Sequence, residues 1–253
     1  MPNHITNILE FDCSPERFQE IAEFLRANPD EPLGNVDFNK LIPMPESLAI
    51  ESGSRGETGY KAYKEFVVMS MPLDDVAKAQ LEQTYRDRFK DDPEIWTLGK
   101  QYYMNIMLYG TPTWYGWCNE HWNTKWNAYD CVEVLPGYCQ LEFLTAWSSV
   151  PPIVEAISRK FEDVTITYKW ADEDIGFNVG EVVLRGGEYI EDRTPVEGSK
   201  EAYELAADIM GGDPSEWGLS LSEDGSTYEW HDMDPEPDPV PAVDQKSHSG
   251  DAR

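Results

Sequence analysis

Apolar positions along the chain change period several times, and each change marks an element. Ile5 to Phe11 reads as a strand of mixed polar and apolar residues. Ser14-Pro15 supplies an N-cap and a first-turn proline, with Glu16 in the first turn. Phe18, Ile21, Ala22 and Leu25 then fall at helical spacing, which predicts a helix to about Ala27, stopped before Pro29. Asp130 to Leu135 and Tyr138 to Trp147 are β-rich runs separated by Pro136-Gly137, a hairpin signal. Pro151-Pro152 opens a second helix, with Ile153, Val154, Ile157 and Phe161 on one face. Val164 to Trp170 alternates as a strand, and Phe177 to Tyr189 reads as one more, closing at Gly186-Gly187.

Strand, helix, strand, strand, helix, strand is the order of a ferredoxin-like α+β fold, two split βαβ halves forming one antiparallel sheet with helices on one face. The first half is interrupted by residues 28–127, too long for a loop, so a helical insertion is expected there. Leu73 to Phe89, with Val76, Leu81, Tyr85 and Phe89, is one helix of it, and Ile95 to Tyr109 another. Glu197 to Met210 reads as a helix closed by Gly211-Gly212. The expected organisation is a ferredoxin-like domain over 1–190, an acidic helix-containing extension over 191–230, and a disordered Pro- and acid-rich tail over 231–253.

Charge changes the picture more than any motif. The 253 residues hold 48 Asp and Glu against 20 Lys and Arg, a net of −28. Residues 1–161 hold 24 acids and 14 bases (−10), and residues 162–253 hold 24 and 6 (−18). The tail from 231 contributes six acids and two bases, only −4 of that. Such a chain is repelled by nucleic-acid phosphates and by anionic membrane surfaces. No apolar run approaches a membrane span, and Met1-Pro2-Asn3-His4 lacks the basic and apolar regions of a leader, so a cytoplasmic protein is expected.

Residues 114–130 concentrate four Trp and two Tyr, and residues 95–131 carry ten aromatics with two acids and two bases, a neutral segment in an acidic protein. Here the sequence resembles a known family. The WYxW…HWNTKWNAYD run, FNKLIPMPESL (Phe38 to Leu48), the PNHITN start and FLTAWSSVPP are similar to the YubB-like proteins of plasmids and phages. The resemblance covers residues 1 to about 185. It implies a ferredoxin-like domain and a mobile-element origin, and it carries no catalytic residues.

Two readings of Trp114, Trp117, Trp122 and Trp126 compete: core packing of the insertion onto the sheet, or an exposed aromatic patch for a partner. Cys118-x-x-His121 with Cys131 and Cys139 offers four zinc-type ligands, but the usual second close pair is missing, and buried Cys commonly acts as a small hydrophobe, so no metal or other cofactor is expected. Gly53-x-x-Gly56-x-x-Gly59, followed by Lys61 and Lys64, lacks the Gly-Lys-Ser/Thr ending of a phosphate loop and reads as a surface loop.

No catalytic set can be named. The expected partner-binding residues are acids: Glu197, Glu201, Glu204 and Asp208 at spacings of 4, 3 and 4 on one helical face, with Asp172, Glu173, Asp174, Glu191 and Asp192 beside them. The function they point to is a non-enzymatic phage or plasmid protein, a counter-defence inhibitor whose acidic surface mimics nucleic acid. Its partner would be a host protein with a basic nucleic-acid-binding surface, with no direct nucleic-acid or membrane binding. The alternative is an enzyme or small-ligand module with its site near residues 114–130.

Overall fold

The computed structural model describes residues 3–27, 36–132 and 137–230. The predicted tail therefore lies outside the described residues, as does Pro136 of the expected hairpin turn. Strand β1 (His4–Asp12) leads into helix α1 (Pro15–Leu25), where Ser14 Oγ accepts from Arg17 N at 3.3 Å and Pro15 takes the first turn. β2 (Gln140–Ala146), β3 (Thr165–Asp172), β4 (Gly180–Arg185) and β5 (Glu188–Asp192) form one sheet with β1, and helix α6 (Pro151–Lys160) connects β2 to β3. Between α1 and β2 lie α2 (Ser54–Ser70), α3 (Asp75–Arg88), α4 (Glu94–Tyr109) and α5 (Trp114–His121). After the sheet come α7 (Lys200–Met210) and a small hairpin, β6 (Leu219–Leu221) and β7 (Tyr228–Trp230).

The sheet order is β2-β1-β3-β4-β5, every neighbour antiparallel. Tyr129 bridges Leu144 in antiparallel sense, and Val132 N donates to Glu142 O at 2.9 Å, so the chain before β2 runs back along its free edge. That is the ferredoxin-like arrangement, with β4 and β5 added at the far side. Of the strand expected over Asp130–Leu135, residues 133–135 lie outside the described residues, and the described part makes these contacts with Asp130 at φ 46°. The single strand expected over Phe177–Tyr189 divides in two. Gly186 and Gly187, both at positive φ, form a tight turn that sends β5 back along β4.

Alternation along the strands makes two buried faces. Leu9, Phe11, Leu141, Phe143, Ile166 and Tyr168 point to the side covered by α1 and α6, where Phe18, Ile21, Leu25, Ile153, Val154 and Ile157 meet them. Ile8 and Ala171 point to the other side and are covered by Ala202, Tyr203, Ala206 and Ile209 of α7. The acidic extension is thus a third layer docked on the sheet, and the sheet itself continues past residue 190.

The insertion is more helical than the sequence predicts. The glycine-rich stretch is the first half of α2, not a loop. A side chain at Gly56 would collide with the Tyr102 ring, and one at Gly59 with Gly99 and Ile95 O, so these glycines mark a close helix crossing. Tyr63, Phe66, Tyr85 and Trp96 form its aromatic centre. Val76, placed inside by periodicity, is 69% exposed. Among the described residues no helix is long and apolar enough to cross a membrane.

Candidate functional site

Two surface regions bear on function. The first is acidic. Burial of one side of α7 leaves Glu201, Glu204 and Asp208 in solvent on the other. Glu197 does not join them. Ser199 Oγ accepts from Ala202 N at 3.2 Å to start the helix, so Glu197 lies ahead of the first turn, where its carboxylate accepts from Asn178 N at 3.3 Å. The expected four-acid face is therefore three acids long. Glu204 is partly engaged, with Lys200 Nζ at 3.7 Å and the Tyr228 hydroxyl donating at 3.3 Å.

The strand register adds acids to the same side. Glu10, Glu142, Glu181 and Glu191 share the sheet face of Ile8 and Lys169 on which α7 sits. Lys169 Nζ holds Glu10 at 2.9 Å, and Arg193 bridges Glu181 at 2.6 Å and Glu191 at 2.5 Å. The Arg193 hydrogen bond keeps the Glu191 carboxyl below the usual range. Hydrogen bonds from Thr194, led by its backbone N–H, do the same for Asp192. Glu173 and Asp174 are exposed beyond β3. Asp172 is not: it is buried and accepts from Asn3 Nδ2 (3.1 Å), Asp174 N (3.0 Å) and Asn178 Nδ2 (3.0 Å), which makes it the anchor of its loop rather than a contact surface.

The second region lies where the residues of the Trp-rich run divide. Trp117 and Trp122 are core: their rings meet edge to face at 5.4 Å, Trp122 packs on Phe38 at 5.6 Å, and its Nε1 donates to Ile42 O at 2.9 Å. Trp114 is half-buried against the same core. Thr124 and Asn127 are also buried and hydrogen-bonded. Trp126 differs. It lies beyond α5, which ends at His121 with Trp122 as its C-cap, and it is 36% exposed.

Trp126 faces a partner that sequence spacing did not supply. Lys125 Nζ lies 4.5 Å from the Trp126 ring centroid and 4.8 Å from that of Trp147, which is 42% exposed. Trp147 has φ 70°, a conformation that costs a bulky residue of the order of 1–3 kcal/mol. Hydrogen bonds fix it there: its N donates to Asn3 O at 2.9 Å, and Asn178 Nδ2 reaches its O at 3.5 Å. Two other non-glycine residues at positive φ, Asn123 and Asn178, donate to Ser149 O at 2.9 Å and to Trp147 O at 3.5 Å. Beside Trp126 stands Tyr129, whose hydroxyl lies 2.6 Å from His4 Nδ1. Burial raises the Tyr129 pKa, and the charges of Asp130 and Glu173 add to the rise. The signal for this cluster was available, since Asn3, Lys125, Trp126 and Trp147 all belong to the quoted motifs.

The four zinc-type residues are not brought together. Cys118 is buried with Met44 Sδ at 4.0 Å, and burial pushes its thiol up to about 12. The His121 ring stacks on Trp117 at 4.3 Å. Cys139 instead meets Cys13, with Sγ 3.6 Å from Cys13 O, and Cys13 rises to about 11 through burial and then this neighbour. Among the described residues no three His, Cys, Asp or Glu side chains converge as metal ligands.

The fold thus defines a ferredoxin-like protein with a helical insertion and an acidic third layer. Residues 121–213 match the family model described as the ferredoxin-like domain in Api92-like protein, so the chain carries a C-terminal domain of that kind. A crystal structure of the protein api92 from Yersinia pseudotuberculosis is similar over 78% of this chain and 99% of that one, at 11% identity and a TM-score of 0.40. No curated protein matches the chain.

Proposed function

We propose that this chain is a non-enzymatic accessory protein of a phage or plasmid that inhibits a host nucleic-acid-handling protein by occupying its basic surface. The observation that carries the reading is the co-location of acids: Glu201, Glu204 and Asp208 on α7 stand on the same side of the sheet as Glu10, Glu142, Glu181 and Glu191. Successive acids on α7 lie about 4.5 and 6 Å apart along the helix axis, a regular row of negative charge somewhat wider than the roughly 3.4 Å of axis per phosphate of a nucleic-acid strand. The mobile-element origin rests on the motif resemblance, and counter-defence is the role that joins such an origin to a nucleic-acid-like surface.

Long-range attraction gives such a complex fast association that weakens with salt. The test is a pull-down from host lysate at low and high salt, followed by competition of the captured protein with duplex DNA. Replacing Glu201, Glu204 and Asp208 by Lys is expected to abolish both capture and competition. Capture that survives the triple reversal and is indifferent to salt refutes the acidic-face reading.

A further inference from the structure

The rings of Trp126 and Trp147 remain unexplained by packing. Each keeps over a third of its surface in solvent, and Trp147 is held outward by a left-handed backbone that an indole does not favour. The group that these rings accept is already visible. The Lys125 ammonium stands over both faces, at 4.5 Å and 4.8 Å from the centroids. Trp is the strongest aromatic partner for a cation, and an ammonium or guanidinium within about 6 Å is attracted by the ring quadrupole.

Acidic residues stand near the neighbours of these rings. Asp130 follows Tyr129, and Asp130 and Glu173 both act on that ring's hydroxyl. Glu197 holds Asn178 N at 3.3 Å, and Asn178 Nδ2 lies 3.5 Å from Trp147 O. Gly198 N donates to Gly176 O at 2.9 Å, which ties the approach to α7 to the same loop. The aromatic pair therefore adjoins the start of the acidic helix.

We propose that Trp126 and Trp147 form an aromatic slot for an Arg or Lys side chain of a basic protein partner, and that Lys125 fills the slot until that side chain displaces it. The inference rests on the basic-partner reading above and gives that partner a second point of contact. Lys125 is the resident stand-in. Its long flexible stem lets the ammonium move into water when a guanidinium, better suited to stacking on indole, takes its place.

The test uses the full chain with oligoarginine and oligolysine peptides as probes, read by tryptophan fluorescence and calorimetry. Trp126→Leu and Trp147→Asn are each expected to weaken oligoarginine binding about tenfold with an unchanged salt dependence. Asn tolerates the left-handed conformation, so Trp147→Asn removes the ring without adding strain. Lys125→Met empties the slot of its own cation and is expected to tighten binding several-fold. Reversal of Glu201, Glu204 and Asp208 is expected to flatten the salt dependence while leaving the effect of the Trp variants in place.

Two results would overturn the slot. In one, the Trp variants bind as the wild type does and only the α7 reversal weakens binding, which leaves the acidic face standing alone. In the other, Lys125→Met lowers thermal stability without changing peptide affinity, which makes the three residues an internal clasp. Loss of binding in the Trp variants with none on α7 reversal supports the slot and refutes the acidic face.

Discussion

Gly59 and Gly99 face each other where α2 crosses α4, and a Cβ on either would run into the backbone of the other helix. In an exposed helix, Gly→Ala stabilises by about 1 kcal/mol. At this crossing the sign reverses, because the added methyl has only backbone to displace. Gly99→Ala is expected to destabilise by about 1–3 kcal/mol, the range of overpacked cores. Urea unfolding checks it, and an unchanged or raised midpoint would show that the two helices do not pack this closely.

Tyr168 joins three parts of the core through one oxygen. Its hydroxyl donates to Asn7 Oδ1 at 2.7 Å and accepts from Val150 N at 2.9 Å, and the residue is fully buried. Phenylalanine would fill the same space but leave the Val150 N–H and the Asn7 oxygen without that partner. Tyr168→Phe is expected to cost about 1–3 kcal/mol, the penalty for stranding buried polar groups. Thermal unfolding at neutral pH measures the loss.

The ferredoxin-like core was legible because its signals are local. Ser14-Pro15 and Pro151-Pro152 start their helices where predicted, and Ile166 and Tyr168 turn inward as alternation requires. What sequence reasoning missed depends on partners distant in the chain. Gly56 and Gly59 look like loop residues until Gly99 and Tyr102 are brought against them. β5 is exposed at every position and is a strand only through its hydrogen bonds to β4. Ser199 and Gly198 moved the start of α7 past Glu197, which shortened the acidic stripe. Trp147 could not be paired with Lys125, because a strand end and a loop carry no shared period.

Glu142 sits on β2 opposite Ile8, and burial raises its pKa above the usual carboxylate value. A raised carboxyl pKa means that the folded state holds the proton more tightly than the unfolded chain. The stabilising contribution is fully present below the ordinary glutamate pKa and is lost as pH rises through the raised value. Glu142→Gln, which cannot ionise, is therefore expected to raise the melting temperature at pH 7. The advantage should vanish below about pH 4, where the wild-type carboxyl is also neutral. Melting curves across that range decide it, and a destabilised variant at pH 7 would show that the carboxylate has a favourable partner instead.

Cys118 gives a second, alkaline test of burial. Burial lifts its thiol from 9.0 to about 12, with a backbone hydrogen bond opposing the rise only in part. The thiolate is the nucleophile, so the folded protein should leave Cys118 unalkylated by iodoacetamide at about pH 8.5, where an unfolded chain reacts freely. The same shift fixes the sign of a stability change. Folding favours the neutral thiol, so its contribution is complete below pH 9.0 and disappears as pH approaches about 12. Cys118→Ala loses packing at every pH but has no thiol to ionise. Its stability deficit relative to the wild type is therefore expected to shrink steadily across that interval. Tyrosines that titrate there are common to both proteins and cancel in the difference, so a deficit that stays constant would place Cys118 in contact with solvent.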